Sequence, residues 1–223
     1  MSETVFRDAR REMTSLTARV EKRALLWLAA RMPAGVNPDH LTLLGLLAMV
    51  AAGGAYALSA RQPGWLHAVN LLLALNWFGD SLDGTLARYR NRSRPRYGFY
   101  VDHMVDTFGV LALLGGLALS GYMSAPVAVA ILIAYYLLSI NIYLATYTLG
   151  VFKIAYGRLG GTELRMLLAL GNLALLFAPS ITVFGRSVRL YDVCGIGTAA
   201  ALLVTLAVSC LRNTRELFRL ERI

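Results

Sequence analysis

DSLDGTLARYRNRSRPRYGFYVDHMVD, residues 80–106, holds four aspartates in two clusters on either side of an arginine-rich centre. The chain is apolar upstream from about residue 66 and downstream to about residue 121, so Asp80 and Asp83 close one candidate membrane span and Asp102 and Asp106 open the next. An ionised side chain inside a span costs about 3 kcal/mol on insertion scales, which makes intramembrane acids candidates for function. Residues three, four, seven and eight apart share a helix face. Asp80, Asp83, Gly84, Ala87 and Arg88 fall at those offsets, as do Gly98, Asp102 and Asp106. Two antiparallel helices joined through the arginine loop would bring the four carboxylates to one depth.

Outward from this segment, apolar stretches long enough to cross a hydrocarbon core of about 30 Å occur at about 40–60, 66–88, 98–121, 126–149, 163–184 and 192–211. The expected fold is an all-α integral membrane protein of six transmembrane helices, one domain over residues 1–223. Ahead of the spans, Phe6, Ala9, Met13, Leu16, Val20, Ala24 and Trp27 recur at steps of three and four among basic residues. That pattern predicts an amphipathic helix over 1–33 lying in the plane of the headgroups. The chain is 57% hydrophobic and 16% charged over 223 residues, too apolar for an ordinary soluble domain. Its formal charge of +9 accordingly points to anionic lipid and phosphorylated substrates, with no nucleic acid expected.

Nineteen of the 22 basic residues fall in segments that share the N-terminal side of this topology, and Arg61, Arg186 and Arg189 fall on the other. Such asymmetry puts both termini, and the aspartates, on the cytoplasmic side of the cell membrane. The first 33 residues lack a short apolar core with a small-residue cleavage site, so no removable signal peptide is expected. Cys194 and Cys210 lie sixteen positions apart in the last apolar stretch and are expected to be buried thiols. Gly45, Gly53, Gly54, Gly115 and Gly116 would let helices approach closely.

Four carboxylates in one site repel one another, and Arg88 alone cannot neutralise them. Divalent cations can. Hard oxygen donors without a nearby Cys, or a His on the same face, favour Mg²⁺ or Mn²⁺, and four acids suffice for two ions. Gly84 and Ala87 clear side-chain bulk from that face, and Arg88 offers a fork for phosphate oxygens. The combination specifies a nucleotide diphosphate site at the cytoplasmic membrane surface.

DSLDGTLAR (80–88) followed by GFYVDHMVD (98–106) resembles the signature of the CDP-alcohol phosphotransferase family, Asp-x2-Asp-Gly-x2-Ala-Arg-x8-Gly-x3-Asp-x3-Asp. All eight fixed residues are present, and nine residues, Tyr89 to Tyr97, stand in the connecting loop. NPDHLT (37–42) is similar to the segment that opens the first span in that family, with Asn37 and Pro38 in reverse order. The resemblance implies metal-dependent transfer of a phospho-alcohol or phosphatidyl group from a CDP-linked donor to an alcohol or lipid acceptor, with release of CMP, in phospholipid synthesis. It implies that Asp80, Asp83 and Asp102 bind metal, that Asp106 is both ligand and general base, and that Gly84, Ala87 and Arg88 join Asp80 in holding the nucleotide. It also implies a homodimer.

Among the remaining basic residues, Arg90, Arg92, Arg94 and Arg96 could bind an acceptor phosphate or lipid headgroups, or serve topology alone. Lys153, Arg158 and Arg165 lie near Thr162 and Glu163, and Arg165, at the head of the fifth span, is the first choice for an acceptor phosphate. His103 points about 100° away from Asp102 and need not face the metals. His40 and His67 read as interfacial, and Trp27, Trp65 and Trp77 as interfacial anchors. Two competing readings are an intramembrane prenyltransferase, which also binds diphosphate through aspartates and Mg²⁺, and a cation transporter. The transporter fits less well, because its acids belong near the bilayer midplane.

Overall fold

The computed structural model describes residues 18–149 and 160–222. Within them the helices are α1 (Ala18–Arg31), α2 (Pro38–Ser59), α3 (Trp65–Tyr89), α4 (Pro95–Leu119), α5 (Ala125–Leu149), α6 (Gly161–Phe177) and α7 (Leu190–Leu220), with a hairpin of β1 (Ser180–Val183) and β2 (Arg186–Arg189) before α7. Local signals set the helix ends. Proline opens α2 and α4, where its missing N–H costs nothing and its fixed φ suits the first turn. The Asn37 N–H donates to His40 Nδ1 at 3.3 Å, so His40 caps the start of α2. Glu163 Oε2 accepts the Gly160 N–H at 2.9 Å and closes the start of α6 in the same way.

Four of the described helices, α2, α4, α5 and α7, are long and apolar enough to cross a membrane. The other two expected spans correspond to α3 and α6. In α3 the apolar run is interrupted by Asp80, Asp83 and Arg88. At 17 residues α6 is about 26 Å long, short of a full hydrocarbon core. The expected helix over 163–184 stops at Phe177, which corrects the sequence reading of that span. Pro179 cannot extend the helix, and the β-branched run Ile181, Thr182 and Val183 pairs with β2 instead. Phe184 (φ 49°) and Gly185 (φ 76°) make the two-residue left-handed turn between them, a conformation that glycine adopts without strain.

The first 17 residues of the expected interfacial helix lie outside the described residues, as do Lys153 and Arg158. The remainder of that segment is α1, which packs Leu25 and Ala29 against Leu41 of α2 and Leu82 and Leu86 of α3. A larger apolar core fills the other half of the bundle, around Tyr56, Leu66, Val69, Leu73, Leu113, Leu117 and Leu175. Helices α2 and α4 approach closely, and a Cβ on Gly116 would stand 1.9 Å from the Gly53 carbonyl oxygen. Gly45 and Gly79 do the same for α2 and α3, the latter unexpected from sequence, whereas Gly54 and Gly115 face open space.

A polar network runs through the core. Tyr56 and Tyr191 hydroxyls both donate to Asn172 Oδ1 at 2.7 Å, and Asn172 Nδ2 donates to Asn70 Oδ1 at 2.8 Å. This joins α2, α3, α6 and α7 through satisfied groups, each bond contributing about 1 kcal/mol. The two cysteines are exposed, contrary to the buried thiols expected. Both lie on α7, which packs chiefly on α5 and leaves most of its surface outside the bundle.

Candidate active site

The carboxyl end of α3, the start of α4 and the start of α2 converge. Between them lies a cavity of about 480 Å³. Asp83, Gly84 and Ala87 from α3, Gly98 and Asp102 from α4, and Asn37, Asp39 and Thr42 from the head of α2 contribute to its wall. Five signature residues thus line one space. A second hollow, of about 290 Å³, lies at the opposite end of the bundle between Ser59, Ser120 and Arg189 and contains no acid.

Asp83 is buried. Its Oδ2 accepts the Thr42 hydroxyl at 2.6 Å, and its Oδ1 the Gly84 N–H. Asp80 accepts Arg165 Nη2 at 2.6 Å, and Arg165 Nε reaches Asn76 Oδ1 at 2.7 Å. The Asn76 amide in turn donates to the Gly45 carbonyl at 2.9 Å, which pins α2 beside the acids. Asp106 is half-buried on α4, within electrostatic reach of Asp80, Asp102, Asp83 and Arg165. All four acids therefore share one neighbourhood.

They do not yet share one coordination shell: among the described residues no three His, Cys, Asp or Glu side chains stand close enough to hold a metal ion. Thr42 holds the Asp83 carboxylate and Arg165 holds that of Asp80. The donor chemistry nevertheless fits a hard divalent cation, being all oxygen and carrying four acids against Arg165.

Arg88 is exposed beside the cavity, with Nη2 at 3.4 Å from the Thr85 hydroxyl. A Cβ on Gly84 would come within 3.3 Å of Arg88 Nη1, so the glycine makes room for the guanidinium. The four loop arginines divide in role. Arg90 is structural: it donates to the Met32, Pro33 and Val36 carbonyls at 3.0, 2.8 and 2.5 Å, tying down the α1–α2 connection. Arg92 and Arg94 line the cavity. Arg94 also pairs with Asp39 and lies 4.1 Å over the Tyr97 ring, and its hydrogen bond to Asp39 raises its pKa. Arg96 is exposed and outside the cavity wall.

His103 Nδ1 bonds the Phe99 carbonyl at 2.5 Å and its ring packs edge-on to Tyr143 at 4.8 Å. His67 is exposed at the start of α3. Trp27 and Trp65 are exposed, but Trp77 is not a free anchor, since its indole N–H donates to Glu21 at 2.8 Å. Thr42, Asn76 and Glu21 are the residues that sequence reasoning missed. Thr42 could have been found inside NPDHLT, whereas Asn76 and Glu21 carry no local signal.

A family model described as CDP-alcohol phosphatidyltransferase matches residues 36–211, a span that includes every residue of the cavity wall. The chain is 36% identical over 97 residues to a phosphatidylinositol phosphate synthase of Cutibacterium acnes, covering 44% of each chain. It is 35% identical over 125 residues to a CDP-diacylglycerol–serine O-phosphatidyltransferase of Encephalitozoon cuniculi, covering 53% of this chain and 32% of that one. To an archaetidylinositol phosphate synthase of Pyrococcus horikoshii it is 30% identical over 105 residues, covering 47% and 53%. The matched segments thus span about half or less of these relatives' lengths. On the extent of the family match and the cavity its signature residues line, the chain belongs to the CDP-alcohol phosphatidyltransferase family.

Proposed function

We propose that this protein transfers a phospho-alcohol or phosphatidyl group from a CDP-linked donor to an alcohol acceptor, releasing CMP. The observation that carries the reading is the shared cavity: Asp83, Gly84, Ala87, Gly98 and Asp102, from two helices, line one space of nucleotide size. Gly84 and Ala87 leave room for the donor's cytidine and phosphates, and Arg88 supplies a fork for phosphate oxygens. Asp80, Asp83, Asp102 and Asp106 would hold two divalent ions, Mg²⁺ or Mn²⁺. Bound there, the ions would neutralise the diphosphate and stabilise the charge that develops on it.

In this reading Asp106 accepts the proton of the acceptor hydroxyl as its oxygen attacks the phosphorus distal to cytidine. Arg165 reaches Asp80 across the helix interface and is the leading candidate to bind a phosphate on the acceptor. The names of the relatives favour a phosphorylated polyol or serine as acceptor and a CDP-linked lipid as donor. The same proposal includes the homodimer implied by the resemblance, and a cell-membrane location with the acids on the cytoplasmic side, which the distribution of basic residues supports.

The test is direct. Purified protein in lipid nanodiscs is offered a panel of CDP donors and alcohols with Mg²⁺, and the nucleotide and lipid products are identified by mass spectrometry. CMP with a new phosphodiester is the expected result. Pyrophosphate release, or no turnover with any pair, would refute the assignment.

A further inference from the structure

Glu21 of α1 is the acceptor at a node of three hydrogen bonds from two other helices. Its Oε1 takes Trp77 Nε1 at 2.8 Å and Ser81 Oγ at 3.4 Å, both on α3, and Thr162 Oγ1 at 2.6 Å in the first turn of α6. The donors bracket the pair described above. Ser81 adjoins Asp80, Trp77 lies one helical turn before it, and Thr162 lies one turn before Arg165. One oxygen of α1 therefore joins the turn of α3 that carries Asp80 to the turn of α6 that carries Arg165.

We infer that Glu21 is a positioning residue that sets the register of Arg165 against Asp80. The inference rests on the transferase reading of the site. Deeper in the bundle, Asn70 ties α3 to α6 through Asn172 and the Ala169 carbonyl. At the site end α6 is held by the long Arg165 side chain, which bends easily, and by the short Thr162 hydroxyl on Glu21. Without Glu21, Trp77 and Thr162 lose their shared acceptor, and the first turn of α6 loses its hydrogen bond to the α1 carboxylate that also holds α3. A displacement of this kind, far smaller than a helix diameter, can cost about a hundredfold in rate.

The test compares Glu21→Ala, Glu21→Gln, Arg165→Ala and the double variant Glu21→Ala/Arg165→Ala in nanodiscs. Hydrogen exchange, which needs no turnover, is read by mass spectrometry at residues 77–83 and 160–166. Expected for Glu21→Ala is faster exchange in those two segments and not in α5 or α7, with a loss of about tenfold or more in kcat/KM for the acceptor. Glu21→Gln, whose amide oxygen still accepts, recovers most of both. On the Arg165→Ala background, Glu21→Ala adds no further loss, because the residue acts through Arg165. Unchanged local exchange, a Gln variant as poor as Ala, or additive losses in the double variant would each overturn the inference. A wild-type chain that releases no CMP would end the transferase reading instead, and the exchange comparison would still decide whether Glu21 holds the two helices in register.

Discussion

At the scale of single residues, the acids differ in what holds them, and their substitutions should differ accordingly. Asp83 is fixed by Thr42 and Asp80 by Arg165, whereas Asp106 stands among the other carboxylates. Asp106→Asn is expected to lower kcat by about a hundredfold or more, the usual worth of a general base, while donor binding measured by calorimetry stays close to wild type. Asp80→Asn or Asp83→Asn should weaken Mn²⁺ and donor binding together. Equal turnover in Asp106→Asn would refute its role as base. Arg90 belongs to a different kind of experiment. Its guanidinium serves three backbone carbonyls, so Arg90→Ala is expected to cost about 2 kcal/mol and to lower the thermal midpoint in detergent by several degrees, with the midpoint scan as the check.

At the scale of elements, helix pairs meet where side chains are missing. Gly53 and Gly116 bring the backbones of α2 and α4 into contact, and α4 carries Asp106 and Asp102 about three and about four turns before Gly116. Gly116→Val must push the helices apart, at a cost of about 3 kcal/mol or more. Gly115→Ala, one residue along and facing open space, is expected to be neutral or slightly stabilising, since alanine is the better helix former. Size-exclusion profiles and thermal midpoints of the two variants would check the contrast; equal behaviour would mean that the crossing does not limit stability. The short α6 fits the same logic. Its apolar run is cut at Pro179 and completed by a hairpin, so its site end, and not its length, is what the site uses.

At the scale of the whole molecule, the basic loop of residues 90–96 and the β1–β2 hairpin lie at opposite ends of the bundle. Single cysteines placed at Ser93 and Phe184, in a chain with Cys194 and Cys210 replaced by serine, are expected to label with an impermeant maleimide from opposite sides of a sealed vesicle. Labelling from the same side would contradict the proposed topology. A chelator strong enough to remove Mg²⁺ and Mn²⁺ should abolish turnover, and added Mg²⁺ should restore it, because the site's carboxylates then lose the counter-charge they need against a diphosphate. Full activity in chelated buffer would exclude the metal role.

Several of these features were legible in residue order alone. Helical periodicity aligned Asp80, Asp83, Gly84 and Ala87 on one face, and Gly98 with Asp102 on another; all of these but Asp80, which pairs with Arg165, line the cavity, because helix geometry is local and repeats every 3.6 residues. The apolar runs likewise announced the helices, since burying backbone in lipid or core demands that its hydrogen bonds close within the segment. Other features came only with the tertiary structure. Arg165 against Asp80, Thr42 on Asp83, the Tyr56–Asn172–Tyr191 network and Glu21 beneath α3 and α6 join residues that are 41 to 141 positions apart, with Tyr191 and Asn172 a nearer 19. Such pairs depend on how the helices are packed and rotated against one another, which no local period encodes. The sequence by itself determined which side chains could face the chemistry; packing decided which partners hold each of them, because a hydrogen bond is specified by position in space and not by distance along the chain.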